Sequence, residues 1–140
     1  CKDWSSYQTK IKYPELFDID IRSIDNSEIA NLFASADYFV QPYRVVSQSG
    51  PTKIAFNYNL PIIASNLPGF SDEILENVNG YLFEPGNVND LVRVMASAID
   101  TYTRDYSKLK ASMAEHTEQY YSAEKIASQY IEMFDEVLCR

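Results

Sequence analysis

The chain has 140 residues, 46% of them hydrophobic and 23% charged, which is the length and composition of one ordinary folded domain. Its net charge of -8 disfavours nucleic acid and anionic membrane as partners, because both are bound through clusters of Lys and Arg. Cys1 and Cys139 lack the spacing of a disulfide framework or a metal site, which is typical of a reduced, cytoplasmic protein. The one histidine, His116, falls in a polar helical segment and is predicted to be exposed, so we expect no metal site and no cofactor.

The N-terminal residues predict a short helix followed by a strand. The helix is expected within Asp3–Lys10, with Pro14 ending it. Leu16–Ile21 alternates apolar and acidic residues, which is the period of a strand with one charged face near a sheet edge. Asp18 and Asp20 fall on that face, where solvated carboxylates are a better interpretation than a metal site or an acid–base pair.

A helix is predicted over Asn26–Ser35, because its apolar residues recur at helical spacing. Asp25 or Asn26 is the predicted N-cap, and Glu28 favours the first turn. The stripe expected to be buried consists of Ile29, Leu32, Phe33 and Ala36.

The middle of the chain predicts a strand, a polar loop, a helix and a second strand. Tyr38–Gln41 and Ile62–Ala64 are short, largely apolar and bounded by turn residues, as strands buried on both faces of a parallel sheet are. Between them Pro51 lies near the first position of a helix, for which Ser49 is a candidate N-cap and Asn59 a left-handed C-cap. This order of elements is a βαβ unit.

The polar loop of this unit is a candidate anion site. In a parallel sheet ligands bind beyond the carboxyl ends of the strands, and anions favour helix N-termini. The predicted site comprises Ser47, Gln48, Ser49 and Gly50. Gly50 would allow a close approach of the backbone, although an ordinary helix cap explains the same residues.

The remaining elements continue the alternation. Ser71 is predicted to cap a short helix over Asp72–Glu76, and Tyr81–Phe83 to form a strand. Three C-terminal helices are predicted over Val88–Tyr102, Tyr106–His116 and Ser122–Leu138. The first should bury Leu91, Val92, Met95, Ala98 and Ile99, and the last should pack on the body through Ile126, Tyr130, Ile131, Phe134, Val137 and Leu138.

This alternation predicts an α/β fold, a Rossmann-like three-layer arrangement around a mostly parallel sheet, followed by C-terminal helices. About four strands are visible, where a doubly wound sheet has five or six. The first residues also lack the strand and Gly-rich turn that open a nucleotide-binding domain. We therefore expect a single partial domain over residues 1–140, truncated on its N-terminal side.

Several pieces of the sequence occur in an informative order and spacing. They are Ile29–Asp37, Gln41–Tyr43, Ala55, Asn59–Ser65, Pro68–Ile74, Asn79–Phe83 and Pro85–Asn87. Over Ser23–Ile99 this ordered set resembles the C-terminal half of the group 1 (family 4) glycosyltransferases, which have the GT-B architecture. Each piece alone is weak, whereas the ordered set is fairly specific.

The resemblance implies a two-domain enzyme with its active site in a cleft between two Rossmann-like halves. This chain would be the nucleotide-sugar-binding half, holding the UDP- or GDP-sugar of a glycosyltransferase of the hexosyltransferase type. The acceptor would be a glycan or a lipid-linked molecule in polysaccharide biosynthesis. The missing N-terminal domain of the same protein becomes a necessary partner, so the fragment alone should be inactive. The implied location is the cytoplasm, at the inner face of the membrane if the missing half associates with it peripherally.

The resemblance also implies a set of donor-binding residues. They are Tyr43, Ser47, Gln48, Ser49, Gly50, Thr52, Asp72 and Glu73. The loop would bind the diphosphate, and Tyr43 would stack on a base or sugar or else lie at the rim. Spacing to Gly80 favours Asp72 as the residue that faces the donor, whereas the Glu-Ile pair favours Glu73, and both also suit the first turn of a helix. Lys53 and Arg44 are the nearest cations, each an ordinary surface residue when taken alone.

Two positions depart from the family pattern. The family often carries two glutamates eight positions apart, and these positions fall on Val46 and Ile54 here. The Ser47–Gly50 loop resembles a Ser-Gln-Ser-Gly variant found in some members. The missing carboxylates favour, as an alternative, a non-catalytic nucleotide-sugar-binding or glycosyltransferase-like module, and no catalytic residue is assigned.

Overall fold

The structure is a computed structural model that describes residues 4–138. By its internal contacts the chain divides into two compact units, the first ending at Ala30 and the second beginning at Asn31. The two units are described separately below.

The first unit is short and largely irregular. It contains helix α1 (Ser5–Gln8), a 3-10 turn (Pro14–Leu16) and the start of helix α2 (Asn26–Ser35). The predicted strand over Leu16–Ile21 is wrong, because those residues run on from the 3-10 turn without pairing to another strand. An alternating pattern gives a strand only where a neighbouring strand takes up its backbone hydrogen bonds, and the described part of this unit offers none.

Three charged residues of the first unit pair with one another. Arg22 lies 3.0 Å from Asp20 and 2.6 Å from Glu28, and its hydrogen bond lowers the pKa of Glu28. Asp25 caps α2, since its Oδ1 accepts from the backbone N–H of Ser27 at 2.9 Å. Asp20 therefore serves in a surface ion pair, and the predicted N-cap of α2 is confirmed.

The second unit is built on a parallel sheet of three strands in the order β1-β2-β3. The strands are β1 (Phe39–Gln41), β2 (Ile62–Ser65) and β3 (Gly80–Phe83). Helix α3 (Gly50–Asn57) connects β1 to β2, and the short helix α4 (Pro68–Ser71) lies between β2 and β3. The predicted α/β fold with a parallel sheet is confirmed, with one strand fewer than expected.

Two long helices follow the sheet. Helix α5 (Val88–Tyr121) consists of two helical segments that meet at a kink, where Asp105 has φ -137° and ψ 19°. The two helices predicted in this region are therefore confirmed, with the second extending to Tyr121. Helix α6 is Ala123–Leu138. Asn87 caps α5 through its Oδ1, which accepts from the N–H of Asp90 at 3.1 Å. No helix in the described range is both long enough and apolar enough to cross a bilayer.

Two hydrophobic clusters cover the sheet. The Phe56 cluster consists of Ala55, Phe56, Leu60, Ile62, Ala64, Phe70, Ile74 and Met113. The Tyr81 cluster consists of Ile63, Tyr81, Phe83, Val94, Ala98 and Leu109. Consecutive residues of β2 thus enter opposite clusters, as the period of a strand requires, and β2 is buried on both faces. β1 is less covered than predicted, because Val40 remains 37% exposed.

The faces predicted to be buried are only partly correct in α2 and α5 and wrong in α6. In α2 only Phe33 packs against the Phe56 cluster, and no residue of the helix is fully buried. In the first part of α5, Ala98 is buried and Leu91 packs against the Tyr81 cluster, as predicted. Val92, Met95 and Ile99 are exposed instead of buried, and Val94 is buried in their place. The apolar face of α6 is exposed along its length within the described chain, since α6 has no buried residue.

The end of α4 also differs from the prediction. The short helix begins at Pro68, so Ser71 is its last residue rather than the cap of a helix over Asp72–Glu76. Proline is favoured in the first turn, because its missing N–H has no partner there in any case. Asn59 follows the C-cap of α3 with φ 48°, which confirms its predicted left-handed conformation.

Candidate functional site

The loop after β1 forms the wall of an open cleft of about 490 Å³. The cleft is lined by Tyr43, Val45, Val46, Ser47, Gln48, Ser49, Gly50 and Pro51. It lies where the chain leaves the carboxyl end of β1 and enters the first turn of α3. The structure therefore brings together five of the eight predicted donor-binding residues, which are Tyr43, Ser47, Gln48, Ser49 and Gly50.

A second cavity of about 220 Å³ continues from the same loop. Ser47 and Gln48 line both cavities, and Asp72 and Glu73 line the second. The carboxylates after α4 therefore stand beside the polar loop, as expected of residues following the carboxyl end of β2.

Asn79 holds the segment that carries these carboxylates. Its Oδ1 accepts from the N–H of Leu75 at 2.7 Å, and its Nδ2 donates to the carbonyl of Glu73 at 2.9 Å. Asn79 is completely buried, so both ends of its amide are satisfied inside the protein. The backbone at Glu73 is fixed in this way.

Thr52 is completely buried and does not line the cleft. Its hydroxyl donates to Gln41 Oε1 at 2.8 Å, and Gln41 Nε2 donates to Ser49 Oγ at 2.9 Å. Ser49 has the extended backbone of an N-cap, but its side chain makes no capping bond. The sequence analysis missed Gln41, although a polar residue ending a buried strand is the signal that could have identified it.

Two glycines at the cleft have opposite surroundings. A Cβ on Gly69 would lie 2.6 Å from the carbonyl oxygen of Ser47, so the loop rests directly on the backbone of α4. A Cβ on Gly50 would meet nothing within 4 Å. Gly69 therefore serves the fold of the loop, whereas Gly50 leaves open space at the start of α3.

The charges around the cleft are unevenly paired. Lys53 Nζ lies 2.8 Å from Glu73 Oε1 and 4.5 Å from the centroid of the Tyr121 ring. No residue in the described range pairs with the carboxylate of Asp72 or with the guanidinium of Arg44. Arg44 lines a separate cavity of about 180 Å³ at the start of α5.

Tyr43 is held on one side. Its ring stacks on Phe70, with 5.8 Å between the centroids and 8° between the planes, and 44% of the residue is exposed. One face of the aromatic ring is thus supported by the Phe56 cluster, while much of the side chain remains open to a ligand.

Val46 and Ile54 are both half-buried. Val46 lines the cleft and also packs against the Phe56 cluster, so its surroundings are those of an apolar residue. His116, predicted to be exposed, is half-buried beside Tyr120 and Tyr121, and burial lowers its pKa. The described residues contain no group of three His, Cys, Asp or Glu that could hold a metal ion.

The sheet, its crossover helix and a polar loop at the carboxyl end of β1 define an α/β domain of the Rossmann-like class. Residues 21–120 match the family described as glycosyl transferases group 1, and the chain belongs to this family. Known structures with the same fold are GT-B glycosyltransferases.

Three relatives illustrate the similarity. The chain is 29% identical over 102 residues to the sulfoquinovosyl transferase SQD2 of Arabidopsis thaliana, covering 70% of this chain and 20% of that protein. It superimposes on Anabaena HepE in complex with UDP with a TM-score of 0.69 at 20% identity, covering 79% of this chain and 30% of that one. For the catalytic domain of starch synthase IV from Arabidopsis thaliana, bound to ADP and acarbose, the TM-score is 0.65 at 20% identity, with 86% and 26% covered. The chain therefore spans about a fifth of its curated relative.

Proposed function

We propose that this chain is the donor-binding half of a glycosyltransferase and that a nucleoside-diphosphate sugar, UDP- or GDP-linked, binds in the cleft at the start of α3. The observation that carries the proposal is the juxtaposition of the Ser47–Gly50 loop with the N-terminus of α3 around open space. Membership of the glycosyl transferase family and the UDP and ADP bound to the two structural relatives support it.

The start of α3 has the groups that a diphosphate needs. Helix N-termini leave N–H groups without an acceptor in the helix, and their dipole favours an anion by about 0.3–1 kcal/mol. Pro51 has no N–H, and that of Thr52 donates to the carbonyl of Ser49 at 3.2 Å, so we assign the phosphate contact to the N–H of Gly50. The hydroxyls of Ser47 and Ser49 and the amide of Gln48 add donors from the loop. This chain would stabilise diphosphate charge by fixed donors rather than by a protein metal site.

The two carboxylates after α4 differ in what they can offer a sugar. Glu73 is engaged by Lys53, whereas the carboxylate of Asp72 lines the same cavity without a partner in the described chain. We therefore assign Asp72 to the sugar hydroxyls and Glu73 to the placement of Lys53. Tyr43, supported by Phe70, would stack on the base or the sugar.

The complete reaction requires more than this chain. Since the chain covers 20% to 30% of the relatives described above, we propose that an N-terminal half supplies the acceptor site. The reaction would be hexosyl transfer to a glycan or a lipid-linked acceptor in polysaccharide biosynthesis, in the cytoplasm at the inner face of the membrane. Any peripheral membrane contact would come from that other half.

A second function is favoured by Val46 and Ile54. Both are hydrophobic and half-buried at the positions where the family often has glutamates. A carboxylate that holds ribose hydroxyls would be absent at Ile54, which favours a module that binds nucleotide sugars without transferring them.

The two functions are separated by binding and turnover measurements on the full-length protein. Calorimetric titration with UDP and GDP measures binding, and release of nucleoside diphosphate from the sugar donors measures turnover. Turnover supports the transferase, and binding without turnover supports the module. Absence of binding by both nucleotides would overturn both proposals. Gln48→Ala should weaken binding, whereas Ser128→Ala, which removes a local hydrogen bond within α6, is the matched control.

A further inference from the structure

The side chain of Gln41 is almost completely buried and has both ends of its amide engaged. It is the last residue of β1, 2% exposed, and pairs in register with Ala64 of β2. Its Oε1 accepts from Thr52 and its Nε2 donates to Ser49, so the amide joins a buried hydroxyl to a hydroxyl at the cleft. A buried amide with two satisfied ends is fixed in position.

The direction of these hydrogen bonds determines what Ser49 presents to the cleft. An amide nitrogen only donates and an amide oxygen only accepts, whereas a hydroxyl does both. With Thr52 donating to Oε1, Nε2 faces Ser49, whose oxygen accepts and whose proton stays free. No acceptor in the described chain takes that proton. The reverse orientation of the amide would consume the Ser49 proton and leave a lone pair facing the cleft.

An ordinary N-cap serine uses its oxygen to accept from the N–H groups of the first helical turn. Ser49 has the backbone conformation of an N-cap but makes no capping bond with its side chain, and its oxygen accepts from Gln41. The loop therefore gives up a capping interaction and gains a hydroxyl of defined polarity. A hydroxyl that donates suits an anionic oxygen, and one that presents a lone pair does not.

We propose that Gln41 is a positioning residue which, held by Thr52, keeps the Ser49 hydroxyl as a hydrogen-bond donor to the diphosphate of the ligand. This inference rests on the proposed function, since it names how one donor of that same site is oriented. Thr52, one of the predicted donor-binding residues, then acts on the ligand through Gln41 and Ser49 rather than by touching it.

The test is a double-mutant cycle in the full-length protein, with the dissociation constants of UDP and GDP measured by calorimetry. Ser49→Ala should weaken binding by about 10- to 100-fold, the usual effect of losing one charge-assisted hydrogen bond. Thr52→Val removes the hydroxyl that orients the amide and should weaken binding by a similar factor. Thr52→Ser restores that hydroxyl and should bind within about 2-fold of the wild type.

The coupling between the two positions decides the question. If Thr52 acts through Ser49, Thr52→Val should have almost no effect in a Ser49→Ala background. Additive effects of the two substitutions, or a Thr52→Ser variant as weak as Thr52→Val, would overturn the positioning role. Thr101→Val is the matched control, because it loses hydrogen bonds to Tyr81 and Ser97 away from the loop.

Failure of this inference is distinguishable from failure of the proposed function. A wild-type protein that binds neither UDP nor GDP contradicts the function itself. A wild-type protein that binds, with Ser49→Ala binding equally well, contradicts only the orientation of the hydroxyl. Gln41→Glu gives a further check, because a carboxylate accepts from both hydroxyls and reverses the polarity of Ser49, so binding should be weaker than in the isosteric wild type.

Discussion

Lys53 and Glu73 form an ion pair that ties the first turns of α3 to the segment after α4, with 2.8 Å between Nζ and Oε1. Their side chains are 48% and 25% exposed, so water screens the pair and its contribution to stability is about 0–1 kcal/mol. The pair matters more for the cleft, because it engages the charge of Glu73, while Asp72, beside the same loop, has no partner within the described range.

This difference predicts distinct effects for the two carboxylates. Asp72→Asn should weaken binding of the nucleotide-sugar donor by about 5- to 10-fold with little change for the free nucleoside diphosphate, because only the sugar hydroxyls lose a charged acceptor. Glu73→Gln should change the affinities for both ligands by the same small factor. Calorimetry with the two ligands gives the ratio of affinities for each variant. Loss of sugar discrimination in Glu73→Gln alone would assign the sugar contact to Glu73.

Alanine at the two cleft glycines should separate loop folding from ligand access. Gly69→Ala places a Cβ 2.6 Å from the carbonyl oxygen of Ser47, so the loop must shift at a cost of about 1–3 kcal/mol. Gly50→Ala meets no atom within 4 Å and should be neutral or stabilising by up to about 1 kcal/mol, since alanine favours helix. Urea denaturation measures both effects.

Measurements of ligand affinity and stability on the same two variants test the cleft and the loop separately. Gly50→Ala should weaken UDP or GDP binding in a stable protein, because its methyl group occupies space that the diphosphate would use. Unchanged affinity in that variant would place the diphosphate elsewhere. An unfolding free energy of Gly69→Ala equal to that of the wild type would contradict the close packing of the loop on α4.

His116 predicts a pH dependence of stability. Burial lowers its pKa below the ordinary value of 6.5, so the unfolded chain binds the proton more readily than the folded chain. Stability should therefore fall as the pH drops from about 6.5 towards the lower pKa of the folded state. His116→Gln removes this contribution, and because the sequence has no other histidine the comparison is clean. Equal slopes of unfolding free energy against pH in the two proteins would contradict the effect of burial.

The exposed face of α6 predicts an unusual tolerance to polar substitution. Ile131→Gln and Phe134→Gln should each change the unfolding free energy of this chain by no more than about 0.5 kcal/mol, because both side chains are more than half exposed. Met113→Ala, at a fully buried position of α5, is the contrasting variant and should cost about 2–5 kcal/mol. Thermal denaturation compares them, and a comparable loss in the α6 variants would mean that their face is covered.

The sequence predicted the elements whose signals are local. β2 is a run of apolar residues between turns, and Asn59 has the left-handed conformation that few other residues adopt. The strand over Leu16–Ile21 failed because its pattern carries no information about a pairing partner. The face of α5 was partly misplaced because apolar residues such as Val92 lie around much of the helix, and only the packing selects Val94.

For the candidate site, the sequence likewise located the segment with a local signal but missed the long-range contacts. The loop after β1 could be located because strand ends and helix starts leave recognisable residues. The partnership of Gln41 with Thr52, 11 positions away, could not, because nothing in the sequence indicates which buried polar groups satisfy each other. The contact of Gly69 with Ser47 likewise depends on the approach of two backbones that only the fold brings together.

Helix α5 contributes Leu109 to the Tyr81 cluster and, about one turn later, Met113 to the Phe56 cluster. The part of α5 that follows Asp105 therefore packs against the clusters on both faces of the sheet. Neither layer can open without releasing a helix that the other layer also holds. The second unit should therefore unfold as a single cooperative body rather than layer by layer. In hydrogen exchange, the slowest amides of β2 and of this part of α5 should then have the same free energy of opening.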